Sequence, residues 1–129
     1  MPRFPLSLIG IALGAMFAAA PVLATDAPPT FEGIWKSVNA MPGIRAIDEP
    51  RDIRIEVPSE NTIYFFTKPG QPEYPAVFKR SVVGTGVTLD VQTQGISFGE
   101  GDAKIAFDAL LARFRAQDAE IRADMQKKK

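Results

Sequence analysis

RDIRIEVPSENTIYFFTK, from Arg51 to Lys68, is the stretch on which the fold turns. In its first half Ile53, Ile55 and Val57 fall on one side of an extended chain and Asp52, Arg54 and Glu56 on the other, the period-two pattern of a strand whose sheet is wet on one face. PSEN supplies a turn, and TIYFFT returns to extended structure rich in β-branched and aromatic residues. This second strand differs from the first. Ile63 and Phe65 point one way while Tyr64, Phe66 and Lys68 point the other, so it is apolar front and back.

Working outward, PGQPEYP interrupts the extended run, and a further strand is expected over about Ala76 to Val83. After GTG, the alternation of Val87, Leu89 and Val91 predicts another strand, and a turn around Gln94 and Gly95 precedes a last one carrying Ile96 and Phe98. On the N-terminal side FEGIWKSV reads as a strand, NAMPGI as a loop, and Arg45 to Ile47 as a short strand. From Asp102 the period becomes helical, with Ala103, Phe107, Leu110, Leu111, Phe114, Ile121 and Met125 recurring at spacings of three and four. Asp102 is placed to cap that helix.

Strands in succession followed by one amphipathic helix define an α+β domain, an antiparallel meander of about five or six strands with a long C-terminal helix packed on one face. The expected sheet core is Ile53, Ile55, Val57, Ile63, Phe65, Val87, Leu89, Val91, Ile96 and Phe98, covered by Phe107, Leu110, Leu111 and Phe114. The helix would be about 37 Å long at 1.5 Å per residue, more than so small a body covers. Residues 118–129 are therefore expected to protrude or fray, with Asp118 and Arg122 forming an exposed i,i+4 pair.

The first 24 residues set Arg3 ahead of an uncharged apolar run from Leu6 to Ala20 and end in Val22, Leu23 and Ala24, the form of a cleaved secretory signal. Gly10, Gly14 and Pro21 interrupt the run, which falls short of the roughly twenty residues of a spanning helix, so no stable membrane anchor is expected after cleavage. A short leader, residues 25–30, precedes a single domain over 31–117. The periplasm is the expected location, with the extracellular space as the alternative.

The chain of 129 residues has fifteen basic and fifteen acidic side chains, which leaves no basic stripe for phosphates and excludes a nucleic-acid binder. It has neither cysteine nor histidine. An exported domain without disulfides folds on apolar burial alone. The commonest general base, the strongest nucleophile and the usual zinc ligands are all missing, so neither a metal nor a cofactor is expected. Asp48 and Glu49 read as a charged turn between Arg45 and Arg51; Glu100 and Asp102 lack the spacing of a calcium loop.

Function then falls to surfaces. Tyr64 and Phe66 on the far side of the second strand need cover, from Phe31, Trp35 or Tyr74 of the same chain, from a second copy, or from a ligand. Pro69, Pro72 and Pro75 recur every third residue, the repeat of a polyproline II helix and equally of a stiffened hairpin loop. Trp35, Tyr64, Phe66, Lys68, Tyr74 and Lys79 are the candidate binding residues of a small exported, non-enzymatic binding or accessory protein whose partner is another protein or a small apolar ligand. A carboxylate-dependent enzyme is a further alternative.

Gly33-Ile34-Trp35 resembles the Gly-x-Trp triplet that opens the first strand of lipocalin-like barrels. That resemblance implies a small closed barrel with the helix outside, Trp35 at its floor, and a cavity for a small apolar ligand.

Overall fold

A computed structural model describes residues 28–84 and 88–127. Within them the chain divides into a first unit that ends at Ala40 and a second, Met41–Lys129. The predicted signal segment, the first half of the leader, Val87 and the last two lysines lie outside the described residues.

The first unit holds α1 (Phe31–Asn39), where the sequence reading expected a strand. Phe31, Ile34, Trp35 and Val38 have the spacing i, i+3, i+4, i+7 of one helical face, and Ile34 and Val38 are buried. Thr30 decides the matter locally, since its backbone is extended and its hydroxyl accepts a hydrogen bond from the Gly33 N–H at 2.9 Å. The triplet that resembled a lipocalin strand therefore lies on a helix.

The second unit is an open antiparallel sheet in the order β1 (Arg45–Asp48), β2 (Asp52–Val57), β3 (Thr62–Thr67), β4 (Ala76–Val83) and β5 (Asp90–Ser97), followed by α2 (Asp102–Lys127). The fold is α+β as expected, and the sheet is not closed into a barrel, which corrects the lipocalin-like alternative. A 3-10 turn at Pro58–Glu60, closed by Asn61 in the left-handed region at φ 51°, joins β2 to β3.

Residues 94 and 95, expected as a turn, lie in the middle of β5. A side chain at Gly95 would put its Cβ only 2.8 Å from the Phe107 ring, so the glycine lets the helix approach the sheet and does not reverse the chain. Leu89 and Phe98 fall just outside the strand.

Register assigns the faces differently from the alternation of each strand read alone. Ile55 stands opposite Tyr64 and Ile53 opposite Phe66, while Arg54 stands opposite Phe65 and Glu56 opposite Ile63. Residues directly opposite share a face. Hence the apolar side of β2 lies with Tyr64, Phe66 and Val77 on the back face, and its charged side lies with Phe65 and Phe78 on the helix face. The expected core is thus divided between two faces.

On the helix face Phe65, Ala76, Phe78 and Phe107 form a buried cluster flanked by Ile63, Leu110, Leu111 and Phe114. The Phe78 ring lies 4.7 Å from that of Phe114 and 5.2 Å from that of Phe107, distances at which aromatic pairs add to simple burial. On the back face Ile55, Val57, Tyr64, Phe66 and Val77 are buried.

Asp118 does not begin an exposed tail. It is only 2% exposed, and its Oδ1 accepts hydrogen bonds from Arg80 Nε at 2.8 Å and the Thr93 hydroxyl at 2.9 Å. Arg122 pairs with Asp90 on β5, not with Asp118. α2 is fastened to the sheet as far as Arg122 because its polar residues meet complementary groups that no helical pattern reveals.

Candidate functional site

The predicted binding residues separate in the structure. Tyr64 and Phe66 stack on the back face with ring centroids 6.3 Å apart, but they are 5% and 1% exposed and present no open aromatic patch. Lys79, opposite Tyr64 on β4, holds its ammonium 5.9 Å from the Tyr64 ring. Burial pushes the Tyr64 phenol up to about 12, helped by the nearby Glu60 carboxylate. Burial pulls the Lys79 ammonium below its usual value, with Glu60 opposing. Both shifts mark a back face that disfavours charge. Trp35 lies half-buried on α1, in the first unit.

Lys68 and Tyr74 come together at one end of the sheet, where the β3–β4 loop meets the β1–β2 turn. Lys68 to Gln71 forms a turn with Pro69 and Gly70 at its centre, the Gln71 N–H donating to the Lys68 carbonyl at 3.2 Å. Gly70 has φ 97°, which a side chain would strain, and proline followed by a left-handed glycine is the signature of a type II turn. A second turn follows directly, with the Tyr74 N–H donating to the Gln71 carbonyl at 3.1 Å and Pro72 in its second position. The three-residue repeat of proline is therefore that of consecutive turns, not of a polyproline II helix, which has no internal hydrogen bonds.

Side chains then fix the loop to its neighbours. Glu73 is 2% exposed, and its carboxylate pairs with Arg51 of the β1–β2 turn at 3.3 Å. A buried carboxylate left without its cation is costly, so this pair holds the two loops together. Lys68 pairs with Asp48 through its ammonium, and its backbone N–H donates to the Arg51 carbonyl at 3.2 Å. The Thr67 hydroxyl accepts from the Ala76 N–H at 2.9 Å and donates to its carbonyl at 3.2 Å, closing the base of the loop. The Phe98 N–H donates to the Pro75 carbonyl at 2.9 Å.

Pro50, Arg51, Pro69, Gly70 and Pro72 remain exposed on this corner. Asp52, half-buried beside it, has its carboxyl raised by burial, which outweighs the favourable field of Arg54. Asp48, Glu49 and Glu73 each sit in an ion pair, with Lys68, Arg54 and Arg51 respectively. Among the described residues no group of acidic side chains is placed to hold a metal ion, and no helix is long and apolar enough to cross a membrane.

Sequence reasoning found Lys68, Tyr74 and the prolines but missed Arg51 and Glu73, which organise the corner. Nothing in their spacing signals a pair 22 positions apart.

No protein-family model, curated protein or solved structure matches this chain.

Proposed function

We propose that the protein is a small exported accessory domain of the bacterial periplasm that binds another protein through the corner formed by Pro50, Arg51, Lys68, Pro69, Gly70, Pro72 and Tyr74. The observation that carries this reading is a loop held rigid by two successive turns and by the pairing of buried Glu73 with half-exposed Arg51, while Pro69 and Pro72 stay exposed. A loop ordered in advance loses less conformational entropy on binding, so more of its contact energy becomes affinity. The carboxylates around the corner are engaged in holding it together, which suits a binding surface better than acid-base chemistry. The signal-like segment at the N-terminus supports export.

Photo-crosslinking in living cells tests this. A photoreactive residue at Pro72 is expected to give a discrete protein adduct that the same residue at exposed Lys104 does not, and Glu73→Ala is expected to abolish it. Identical adducts from both positions, or none from Pro72, would refute the corner as the binding surface.

A further inference from the structure

An open sheet has two edges, and this one treats them differently. At β5 the helix supplies arginines to the outward-facing backbone, Arg115 Nε donating to the Thr93 carbonyl at 3.3 Å and Arg122 Nη2 to the Val91 carbonyl at 3.1 Å. Side chains that occupy an edge in this way prevent another strand from adding to it. At β1, Arg45, Ala46 and Asp48 are exposed.

The direction of the β1 backbone follows from one hydrogen bond and the register. The Glu49 N–H donates to the Asp52 carbonyl at 2.9 Å, so Glu49 turns its polar backbone groups toward β2. In an antiparallel pair these groups alternate, so Ile47 and Arg45 also face β2 while Ala46 and Asp48 direct their N–H and C=O outward. A strand added to this edge must bond to those two residues.

We infer that β1 pairs antiparallel with β1 of a second copy of this chain, centred on Ile47, joining the two sheets edge to edge. A two-fold axis perpendicular to the sheet keeps each face continuous and requires opposed residues to point the same way. Centring on Ile47 satisfies this and sets Ala46 opposite Asp48 of the second copy as the hydrogen-bonded pairs. It also sets Ile47 against Ile47, and Arg45 against Glu49, in the closely spaced pairs where side chains meet.

The sequence is thus self-complementary in charge about its central isoleucine. Arg45 has 73% of its side chain exposed and Glu49 38%, and the present partners of these residues are at 3.3 Å for Arg45–Glu56 and a loose 3.8 Å for Glu49–Arg54. Centring one residue earlier would instead oppose Arg45 to Ile47, with no charge partner. Asp48 and Glu49 adjoin Pro50 of the loop corner, but the pairing is read from crosslinks between copies of residue 47 and the corner from adducts at Pro72, so each stands or falls separately.

The chain has no cysteine, so single thiols report the register without background. In protein purified from cells expressing the full chain, I47C is expected to form a disulfide-linked dimer under mild oxidation, since closely spaced pairs hold their Cα atoms about 4.5 Å apart, within disulfide reach. A46C should remain a monomer, because the two copies of that residue lie about 8 Å apart in this register, beyond bridging distance. Adding Ala46→Pro to I47C removes an outward donor that the fold of one chain does not use, and should cut crosslinking at least tenfold with the thermal transition retained. A monomeric I47C, equal crosslinking by A46C, or crosslinking unaffected by the proline would each overturn the inference.

Discussion

The two faces of the sheet solve burial by different means. The helix face mixes aromatic rings with charge: Phe65, Phe78 and Phe114 lie beside Arg80, whose guanidinium is 5.0 Å from the Phe114 ring and bonded to buried Asp118. The back face is aliphatic and aromatic, with Lys79 the cation beside its Tyr64–Phe66 stack. The helix face obtains its specific fit from directional bonds, since Arg80 also donates to the Phe114 carbonyl at 3.1 Å and Gln117 Oε1 at 3.2 Å. The back face relies mainly on shape and the exclusion of water, with the Thr62 hydroxyl, which donates to the Glu60 carbonyl at 2.9 Å, adding a directional bond toward one end. Burial of two faces around one sheet compensates a domain of this size for the absence of disulfides.

Truncating one aromatic on each side tests that contrast most severely. Phe78→Ala on the helix face and Phe66→Ala on the back face remove almost fully buried rings, and each should destabilise by about 3–5 kcal/mol in urea or thermal unfolding. Similar losses establish two cores of equal standing. A loss below about 1 kcal/mol for Phe66→Ala, with Phe78→Ala still severe, would show that the back face is not a core in solution.

Asp118→Ala comes next in size. It leaves the Arg80 guanidinium without its carboxylate partner at a site where both side chains are largely buried, and should cost about 3 kcal/mol, the lower end for breaking a buried pair. Replacing both partners, with Arg80→Met and Asp118→Leu together, should recover much of that loss, because the desolvation of both charges goes with them. Hydrogen exchange should locate the damage in the C-terminal half of α2. A double variant no better than the single one would mean that the network contributes more than charge compensation.

Most of the fold could be read from residue spacing, and the misreadings have physical causes. β2, β3, β4 and α2 stand where their periods placed them, because alternation and the 3.6-residue repeat are local properties. The pairing of faces is not local. It depends on the 3-10 turn at Pro58–Glu60, whose length sets Ile55 opposite Tyr64; one residue more or less would have exchanged the faces. α1 is short, and its aromatic and β-branched residues favour a strand by composition; only the helical spacing of positions 31, 34, 35 and 38 and the Thr30 cap mark it as a helix. Gly95 looked like a turn because its reason for being glycine, the Phe107 ring, comes from another element. In the loop corner the prolines announced stiffness, but the Arg51–Glu73 pair that supplies much of it joins segments whose proximity only the fold creates.

The smallest effect expected is a pH dependence confined to the back face, where two groups act with opposite sign. The Tyr64 phenol ionises near 10.0 in the unfolded chain but only at about 12 in the fold. Below the first value both states are neutral and the contribution of this residue is complete. Between the two values the unfolded chain loses its proton while the fold keeps it, so stability falls as pH rises. Lys79 behaves inversely: its folded value lies below 10.5, so in the window beneath 10.5 the fold releases a proton that the unfolded chain retains, and stability rises with pH. Urea midpoints should therefore climb slightly on approaching pH 10 and then decline toward about pH 12. Lys79→Met should flatten the climb, and Tyr64→Phe the decline. Were Tyr64→Phe to leave the decline unchanged, the phenol would be reaching water, and the exclusion of water that distinguishes this face from the one under the helix would not hold at its centre.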